Sequence, residues 1–240
     1  EEFKGMDQNL KKYLPPGLLL CEEKGVLKLC VQKDCPEFVG ENFSPLWLDF
    51  VGQWKYHQSS LKAKTKEPLF KAIAGKLKKN TEVLDATCGL GGDSLLMLFL
   101  GFRVCSIERN PVVFSLLENA KKRALEHGDN SLVQAMGNWQ IFLGEACEYF
   151  EKEGVGEGVI FLDPMYPEQK RKKALSSKEM RMLKYLLGES SDDQKLVQYF
   201  LRMSGKKLVV KRPLKGERVI DGVDHSVSGK STRYDIYFAR

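Results

Sequence analysis

The sequence predicts an α/β fold whose sheet is doubly wound and mostly parallel and has an antiparallel final strand. From residue 81 onward, short apolar runs with strand character alternate with segments of helical periodicity, a pattern typical of parallel βαβ units. The last two runs have no helix between them, which indicates antiparallel pairing. Residues 1–50 lack this alternation and contain a hairpin signal, which predicts a small β-rich N-terminal part.

The alternating region predicts seven strands. They are TEVLDAT (81–87), FRVCSIER (102–109), WQIFLGEA (139–146), GVIFLDP (158–164), KKLVVKRP (206–213), ERVIDGV (217–223) and RYDIYFAR (233–240). Between them, apolar residues recur at helical spacing. The predicted helices cover 94–101, 111–128, 147–154, 177–188 and 192–204.

The N-terminal third has a different organisation. The stretch GLLLCEEKGVLKLCV (17–31) predicts two short strands around a Glu-Lys-Gly turn. Leu69, Ile73 and Leu77 have helical spacing within 60–79, and Pro68 suits a helix start. We therefore divide the chain into a β-rich subdomain (1–55), a helical linker (56–80) and a Rossmann-like domain (81–240).

Composition limits the class of protein. The hydrophobic content of 42% is ordinary for a soluble domain, and no apolar run reaches the roughly 18 residues of a membrane span, which favours a soluble, cytoplasmic protein. The net charge of +6 is compatible with a polyanionic partner. No two cysteines form a CxxC pair, so no metal site is expected. The oligomeric state stays open.

A glycine-rich turn follows the first strand of the alternating region. In VLDATCGLGGDS (83–94), Asp85 ends the strand, and Gly89, Gly91 and Gly92 precede a helix. Glycine permits positive φ and close approach of a ligand, and the helix start offers free N–H groups. The spacing matches neither the GxGxxG fingerprint nor a P-loop. A tight turn without a ligand is the alternative interpretation.

Four consecutive strands end in an acid. These acids are Asp85, Glu108, Glu145 and Asp163. Parallel strands present their carboxyl ends at one edge of the sheet, where doubly wound folds bind ligands. An acid about 20 residues past the glycine loop typically binds ribose hydroxyls, which gives this role to Glu108. Glu145 is placed to accept from an adenine amino group, and Ala146 and Cys147 leave room for the ring.

These features favour one cofactor. The strand ends provide acids, and the glycine-rich loop has no basic residue, so this site is not expected to bind a phosphate-rich ligand. S-adenosylmethionine combines a ribose, an adenine and a positive charge, and a carboxylate-lined pocket attracts its sulfonium and amino groups.

The second half resembles a class I S-adenosylmethionine-dependent methyltransferase. More narrowly, the chain resembles the bacterial small-subunit (16S) ribosomal RNA guanine-N2 methyltransferase family between about Leu48 and Tyr237. The resemblance rests on ordered motifs, LDFVG, DATCGLGGD, ERNPVV, LDPMYP, KEMR, VVKRP and RYDIY.

The resemblance implies a set of cofactor contacts. They fall on Gly92, Asp93, Glu108, Arg109, Glu145, Ala146, Cys147 and Asp163. The sequence departs from the family pattern in two places. Gly92 stands where the family usually has arginine, and Ala146 and Cys147 replace a small polar pair.

The resemblance also implies the catalytic residues. Methyltransferases that act on exocyclic amines commonly have Asn/Asp-Pro-Pro-Tyr/Phe after the fourth strand of the sheet, and here Asp163, Pro164, Met165 and Tyr166 stand there. The Asp163 carboxylate and the Pro164 carbonyl are expected to accept the two N–H groups of the guanine amine. Tyr166 is expected to stack on a base taken out of its helix.

A basic run follows this motif. Lys170, Arg171, Lys172 and Lys173 are expected to bind RNA phosphate, and a solvated helix face is the alternative. KYHQSSLKAKTK (55–66) is a second candidate track, and Lys211 and Arg212 are further candidates.

The sequence therefore predicts methylation of the exocyclic N2 amine of a guanine in small-subunit ribosomal RNA. The expected partner is ribosomal RNA or the small ribosomal subunit. A methyltransferase for another nucleic-acid or protein amine or amide is one alternative. A non-catalytic RNA-binding module with a vestigial cofactor pocket is another.

Overall fold

The computed structural model describes residues 8–61, 63–74, 81–154, 158–164, 178–188, 193–203, 206–215 and 222–238. Within these ranges, a seven-stranded sheet has the order β5-β4-β3-β6-β7-β9-β8. The strands are β3 (Glu82–Asp85), β4 (Arg103–Glu108), β5 (Trp139–Leu143), β6 (Val159–Leu162), β7 (Lys207–Pro213), β8 (His225–Ser228) and β9 (Thr232–Tyr237). The strands from β3 to β7 are parallel, and β9 runs antiparallel to both β7 and β8. The predicted doubly wound sheet with an antiparallel final strand is confirmed.

Helices connect the strands and cover both faces of the sheet. They are α1 (Gln8–Lys11), α2 (Phe50–Ser60), α3 (Pro68–Ala74), α4 (Gly92–Leu100), α5 (Pro111–His127), α6 (Asn130–Met136), α7 (Ala146–Glu153), α8 (Lys178–Leu187) and α9 (Asp193–Met203). Short 3-10 helices lie at Pro36–Phe38 and Lys64–Lys66. None of the described helices is both long and apolar enough to cross a membrane.

Alternate residues of the strands contribute to two cores, because successive side chains of a strand point to opposite faces. Val83, Phe161 and Val209 are buried on the face covered by α2–α6 and α8. Their neighbours Leu84 and Leu162 are buried on the other face, against α7 and α9. Burial on both faces explains why these strands are continuously apolar.

The predicted N-terminal hairpin is present. Strands β1 (Leu18–Glu23) and β2 (Val26–Val31) pair antiparallel through a two-residue turn. Lys24 and Gly25 both have positive φ, at 52° and 77°, as a type I′ turn requires. The Asn119 side chain on α5 accepts from Leu27 N–H and donates to the Gly25 carbonyl, each at about 3 Å, which holds the hairpin on the main sheet domain.

Three elements differ from the sequence prediction. The first strand of the closing pair is β8 at His225–Ser228 rather than at 217–223; Gly222 and Val223 lie in a loop, and 216–221 are outside the described residues. Helix α6 was not predicted, although Asp129 caps it by accepting from Leu132 N–H at 2.8 Å. The first part of α2, residues 50–55, was assigned to the β-rich subdomain, whereas its last residues, 56–60, lie in the predicted helical linker. The proposed domain boundaries stay a prediction.

Candidate active site

The glycine loop joins the end of β3 to the start of α4. Gly89 and Gly91 have φ of 53° and 76°, in the left-handed region that favours glycine. A Cβ at Gly91 would lie 2.8 Å from Leu117 Cδ2 and 3.1 Å from Trp139 Cη2, so the loop backbone packs directly on the core. This contact fixes the position of the loop.

The outer side of this loop is open. Gly92 is exposed, and a Cβ there would meet nothing within 4 Å. Gly91 occupies the N-cap position of α4 and provides no side-chain cap. The first N–H groups of α4 therefore border open space, where a helix start favours an acceptor or a negative group.

A buried chain of hydrogen bonds supports the loop from below. Trp139 Nε1–H donates to Ser106 Oγ at 2.8 Å, and the two hydroxyls of Ser106 and Ser94 are 2.8 Å apart. Ser94 donates to the carboxylate of Asp85, which also accepts from Thr87 N–H at 3.2 Å. Asp85 is 1% exposed, and burial raises its pKa to about 7 despite the Ser94 hydrogen bond. In this arrangement the Asp85 side chain links the loop to α4 through hydrogen bonds, and its predicted contact with the cofactor stays a prediction.

Glu108 lies at the end of β4, beside the glycine loop. Its Oε2 accepts from Gly89 N–H at 2.9 Å and its Oε1 from Asn110 N–H at 2.8 Å. Glu108 is 7% exposed, and burial raises its pKa to about 7, while these backbone hydrogen bonds act in the opposite direction. The carboxylate has about four lone-pair sites and is therefore able to accept two ligand hydroxyls in addition. Arg109 beside it is exposed.

The turn after β5 lies at the same end of the sheet. Gly144 N–H donates to the Glu108 carbonyl at 3.0 Å, which ties this turn to β4. Glu145 is exposed at the N-cap position of α7, and Ala146 is buried. Cys147 is half-buried, and burial raises the pKa of its thiol.

Asp163 follows β6 and lies beside the start of the glycine loop. Its backbone N–H donates to Thr87 Oγ1 at 2.6 Å, and the next residue, Pro164, is buried. The Lys211 ammonium, from β7, donates to Asp163 Oδ2 at 2.9 Å and to Asp93 Oδ2 at 2.7 Å. One cation thus joins the first turn of α4 to the end of β6.

Burial and charge oppose each other around this cation. Burial raises the pKa of Asp163 to about 6, because it outweighs the attraction of Lys211, and Asp93 adds repulsion. Burial alone would lower the pKa of Lys211, but the two carboxylates prevail and raise it. Lys211 is therefore charged in this site.

The structure brings most of the predicted residues to one edge. Strands β5, β4, β3 and β6 are adjacent and parallel, so the four strand-end acids follow one another at their carboxyl ends, as predicted. Tyr166 and the basic run Lys170 to Lys173 lie outside the described residues. Arg212 is 1% exposed, with its Nε 3.9 Å from Asp235 Oδ2, and the suggestion that it extends an RNA track is wrong.

Sequence reasoning missed the position of Lys211. It assigned this residue to a possible RNA track, whereas the ammonium lies between two carboxylates of the candidate site. One feature of the sequence could have indicated this position. Lys211 stands in the motif VVKRP, near the carboxyl end of the strand that follows β6, and therefore near the edge where the strand-end acids lie.

Comparisons with known proteins agree with this architecture. A family model described as putative SAM-dependent methyltransferase matches residues 18–239. The chain is 34% identical over 200 residues to ribosomal RNA small subunit methyltransferase J of Desulfotalea psychrophila, covering 82% of this chain and 75% of that protein. It is also 34% identical over 218 residues to the protein of this name from Pseudomonas paraeruginosa, covering 90% and 79%.

A solved structure shares the fold. A SAM-dependent methyltransferase from Neisseria gonorrhoeae matches with a TM-score of 0.68 at 28% identity, covering 94% of this chain and 85% of that one. The predicted cofactor, S-adenosylmethionine, agrees with the family description. The chain belongs to the family of S-adenosylmethionine-dependent methyltransferases that includes the ribosomal RNA small subunit methyltransferase J proteins.

Proposed function

We propose that the protein transfers a methyl group from S-adenosylmethionine to the exocyclic N2 amine of a guanine in small-subunit ribosomal RNA. The names of its relatives support the choice of ribosomal RNA as substrate. The position of Asp163 is the observation that supports an amine as the methyl acceptor. The backbone N–H of Asp163 donates to Thr87 at the start of the glycine loop, and its carboxylate accepts from Lys211, next to a proline and at the end of the sheet where this fold binds ligands.

The cleft has the chemistry to hold the cofactor. Gly92 is exposed and gives room for close approach, and α4 begins there without a side-chain cap. We assign the ribose hydroxyls to Glu108, whose carboxylate is buried beside the loop, and the adenine to the turn Glu145–Cys147. Asp93 and Arg109 complete the proposed set, and Asp85 acts through the loop.

The reaction needs an oriented amine. The lone pair of the guanine amine is delocalised into the ring, so the free amine is a weak nucleophile. We propose that the Asp163 carboxylate and the Pro164 carbonyl each accept a hydrogen bond from one of its two N–H groups. These two hydrogen bonds turn the lone pair of the amine toward the methyl group. The bound cofactor supplies an electrophilic methyl group on a sulfonium. The protein's contribution is then position and electrostatics.

The proposed contacts with the RNA substrate are inferred from the sequence alone. Stacking by Tyr166 and phosphate binding by Lys170, Arg171, Lys172 and Lys173 stay predictions. An enzyme that does chemistry on a base acts on single-stranded nucleic acid or takes the base out of its stack, and aromatic and cationic side chains beside the motif suit that requirement.

The test is transfer of labelled methyl groups to naked small-subunit ribosomal RNA, to assembled subunits and to DNA. Digestion and mass analysis should find N2-methylguanosine in one of the ribosomal substrates. Asp163→Ala should lower the rate about a hundredfold, because a lost acceptor at the reacting group costs on the order of 3 kcal/mol. Asp129→Asn, at an exposed helix cap, is the control and should keep the parent's rate.

Two results would count against the proposal. A methyl group on another atom or on DNA alone would give the chain a different substrate. Near-parent turnover by a folded Asp163→Ala protein would remove Asp163 from the mechanism.

A further inference from the structure

Lys211 connects two parts of the cleft that are far apart in sequence. Its ammonium lies 2.7 Å from Asp93 Oδ2 and 2.9 Å from Asp163 Oδ2, and these residues are 118 and 48 positions away. The lysine side chain is 22% exposed, and those of Asp93 and Asp163 are 21% and 37% exposed. The three charges are thus partly shielded from water, where charge–charge interactions are stronger than at a free surface.

This arrangement bears on the charge of Asp163. Two carboxylates that share a site repel each other, and one of them then tends to hold a proton. A cation between them removes this conflict and lets both ionise. Among the described residues, Asp85 and Tyr234 also interact electrostatically with members of this cluster.

We propose that Lys211 is a positioning residue for methyl transfer, which keeps Asp163 ionised and ties it to Asp93 at the start of α4. The inference rests on the proposed role of Asp163 as acceptor for the substrate amine. An ionised carboxylate makes a hydrogen bond roughly twice as strong as a neutral acceptor. The ammonium occupies one of about four lone-pair sites of the carboxylate, so Asp163 retains sites for the amine.

The alternative is that Lys211 only holds β7, β6 and α4 together. Loss of a purely structural link lowers activity equally at every pH. Loss of the cation instead raises the pH at which Asp163 ionises, since an opposite charge at this distance shifts a carboxyl pKa by about one to three units. The two roles therefore differ in their pH dependence.

The first measurement is titration of Asp163 in protein labelled with ¹³C at aspartate carboxyl groups. The signal is assigned by its absence in Asp163→Asn. The midpoint should lie near pH 6 in the parent. It should be about one to three units higher in Lys211→Met and near the parent's value in Lys211→Arg, which keeps the charge. Lys211→Gln serves as the neutral variant if the methionine protein does not fold.

The second measurement is the pH dependence of single-turnover methyl transfer at saturating cofactor. At pH 7 the Lys211→Met rate should fall about twofold for a one-unit rise in the Asp163 pKa and about a hundredfold for a three-unit rise, because the ionised fraction falls by these factors. The rate should recover most of that loss by pH 9. Lys28→Met is the control. Lys28 is on β2, where its ammonium forms an ion pair with Glu23 at 2.5 Å, and this carboxylate keeps the pKa of Lys28 above its ordinary value. This variant should keep the parent's pH profile.

An unchanged Asp163 midpoint in both neutral variants would overturn the inference. A rate loss in Lys211→Met that is equal at pH 7 and pH 9 would also overturn it. The carboxyl titration does not depend on the RNA substrate. If the parent fails to methylate ribosomal RNA while the midpoint moves as expected, the proposed function fails and the electrostatic role of Lys211 stands.

Discussion

Replacing Asp85 with asparagine should change the pH dependence of stability. Asp85 is buried under the glycine loop, and its pKa is raised from 3.8 to about 7. A carboxyl group with a raised pKa in the folded state binds more protons in the folded than in the unfolded chain. Its stabilising contribution is fully present below pH 3.8 and is lost as the pH rises through 7.

The size of the effect follows from these two pKa values. Between pH 5 and pH 8, ionisation of Asp85 lowers the free energy of unfolding of the parent by about 2.5 kcal/mol. Asparagine has nearly the same shape and does not titrate, so Asp85→Asn lacks this loss. Glu108 and Asp163 also have raised pKa values, but they titrate in both proteins and largely cancel in the difference.

The assay is urea unfolding of parent and variant at pH 5 and pH 8. The variant should gain about 2.5 kcal/mol relative to the parent between these two pH values, whatever its absolute stability at pH 5. Asp129→Asn is the control. The pKa of Asp129 is lowered to about 2 by hydrogen bonds from Ser131, Leu132 and Gln58, so it is ionised at both pH values. A constant difference between parent and Asp85→Asn at pH 5 and pH 8 would refute the reasoning.

Two further predictions concern the loop and the cofactor. Gly91→Ala should destabilise the protein by about 1–3 kcal/mol more than Gly101→Ala in thermal unfolding. Both positions have positive φ, but of the two only Gly91 packs against core side chains. Equal losses of stability in the two variants would contradict the packing argument. Glu108→Gln should weaken S-adenosylmethionine binding about tenfold to a hundredfold in calorimetry at pH 8, with little change in the maximal rate. In the parent, the affinity for S-adenosylmethionine should fall as the pH drops below 7, and Glu108→Gln should lack this pH dependence. An affinity of Glu108→Gln equal to that of the parent would place Glu108 outside the cofactor site.

Local patterns were sufficient for the five parallel strands and for the acids at their ends, but not for β8. The strands are continuously apolar, and chain order at the carboxyl ends fixes where Asp85, Glu108 and Asp163 lie. The start of helix α2 was missed because FVGQW (50–54) has aromatic residues and a glycine, which locally favour a strand or turn. It is stabilised by tertiary contacts, with Phe50 and Trp54 one turn apart and buried in the core.

The role of Lys211 was beyond sequence reasoning for a different reason. A lysine in a strand is usually interpreted as solvent-exposed, because burial of a charge is costly without partners. Its partners come from α4 and from the end of β6, and only the order of strands in the sheet brings them together. The position of Lys211 between the two carboxylates therefore became visible only once the order of the strands was known.

Under the proposed function, the two signs of charge in this protein act on different ligands. The whole chain has a net charge of +6, which attracts a polyanion such as RNA. The candidate site has acidic groups instead, since Lys211 pairs with Asp93 and Asp163, and Asp85 and Glu108 lie beside the glycine loop. At physiological ionic strength, exposed charges are screened beyond about 8 Å, so each set of charges acts mainly on a ligand that is already close to it. Under the proposed function, the acids act on the cationic cofactor within the site, and cations elsewhere on the surface act on RNA.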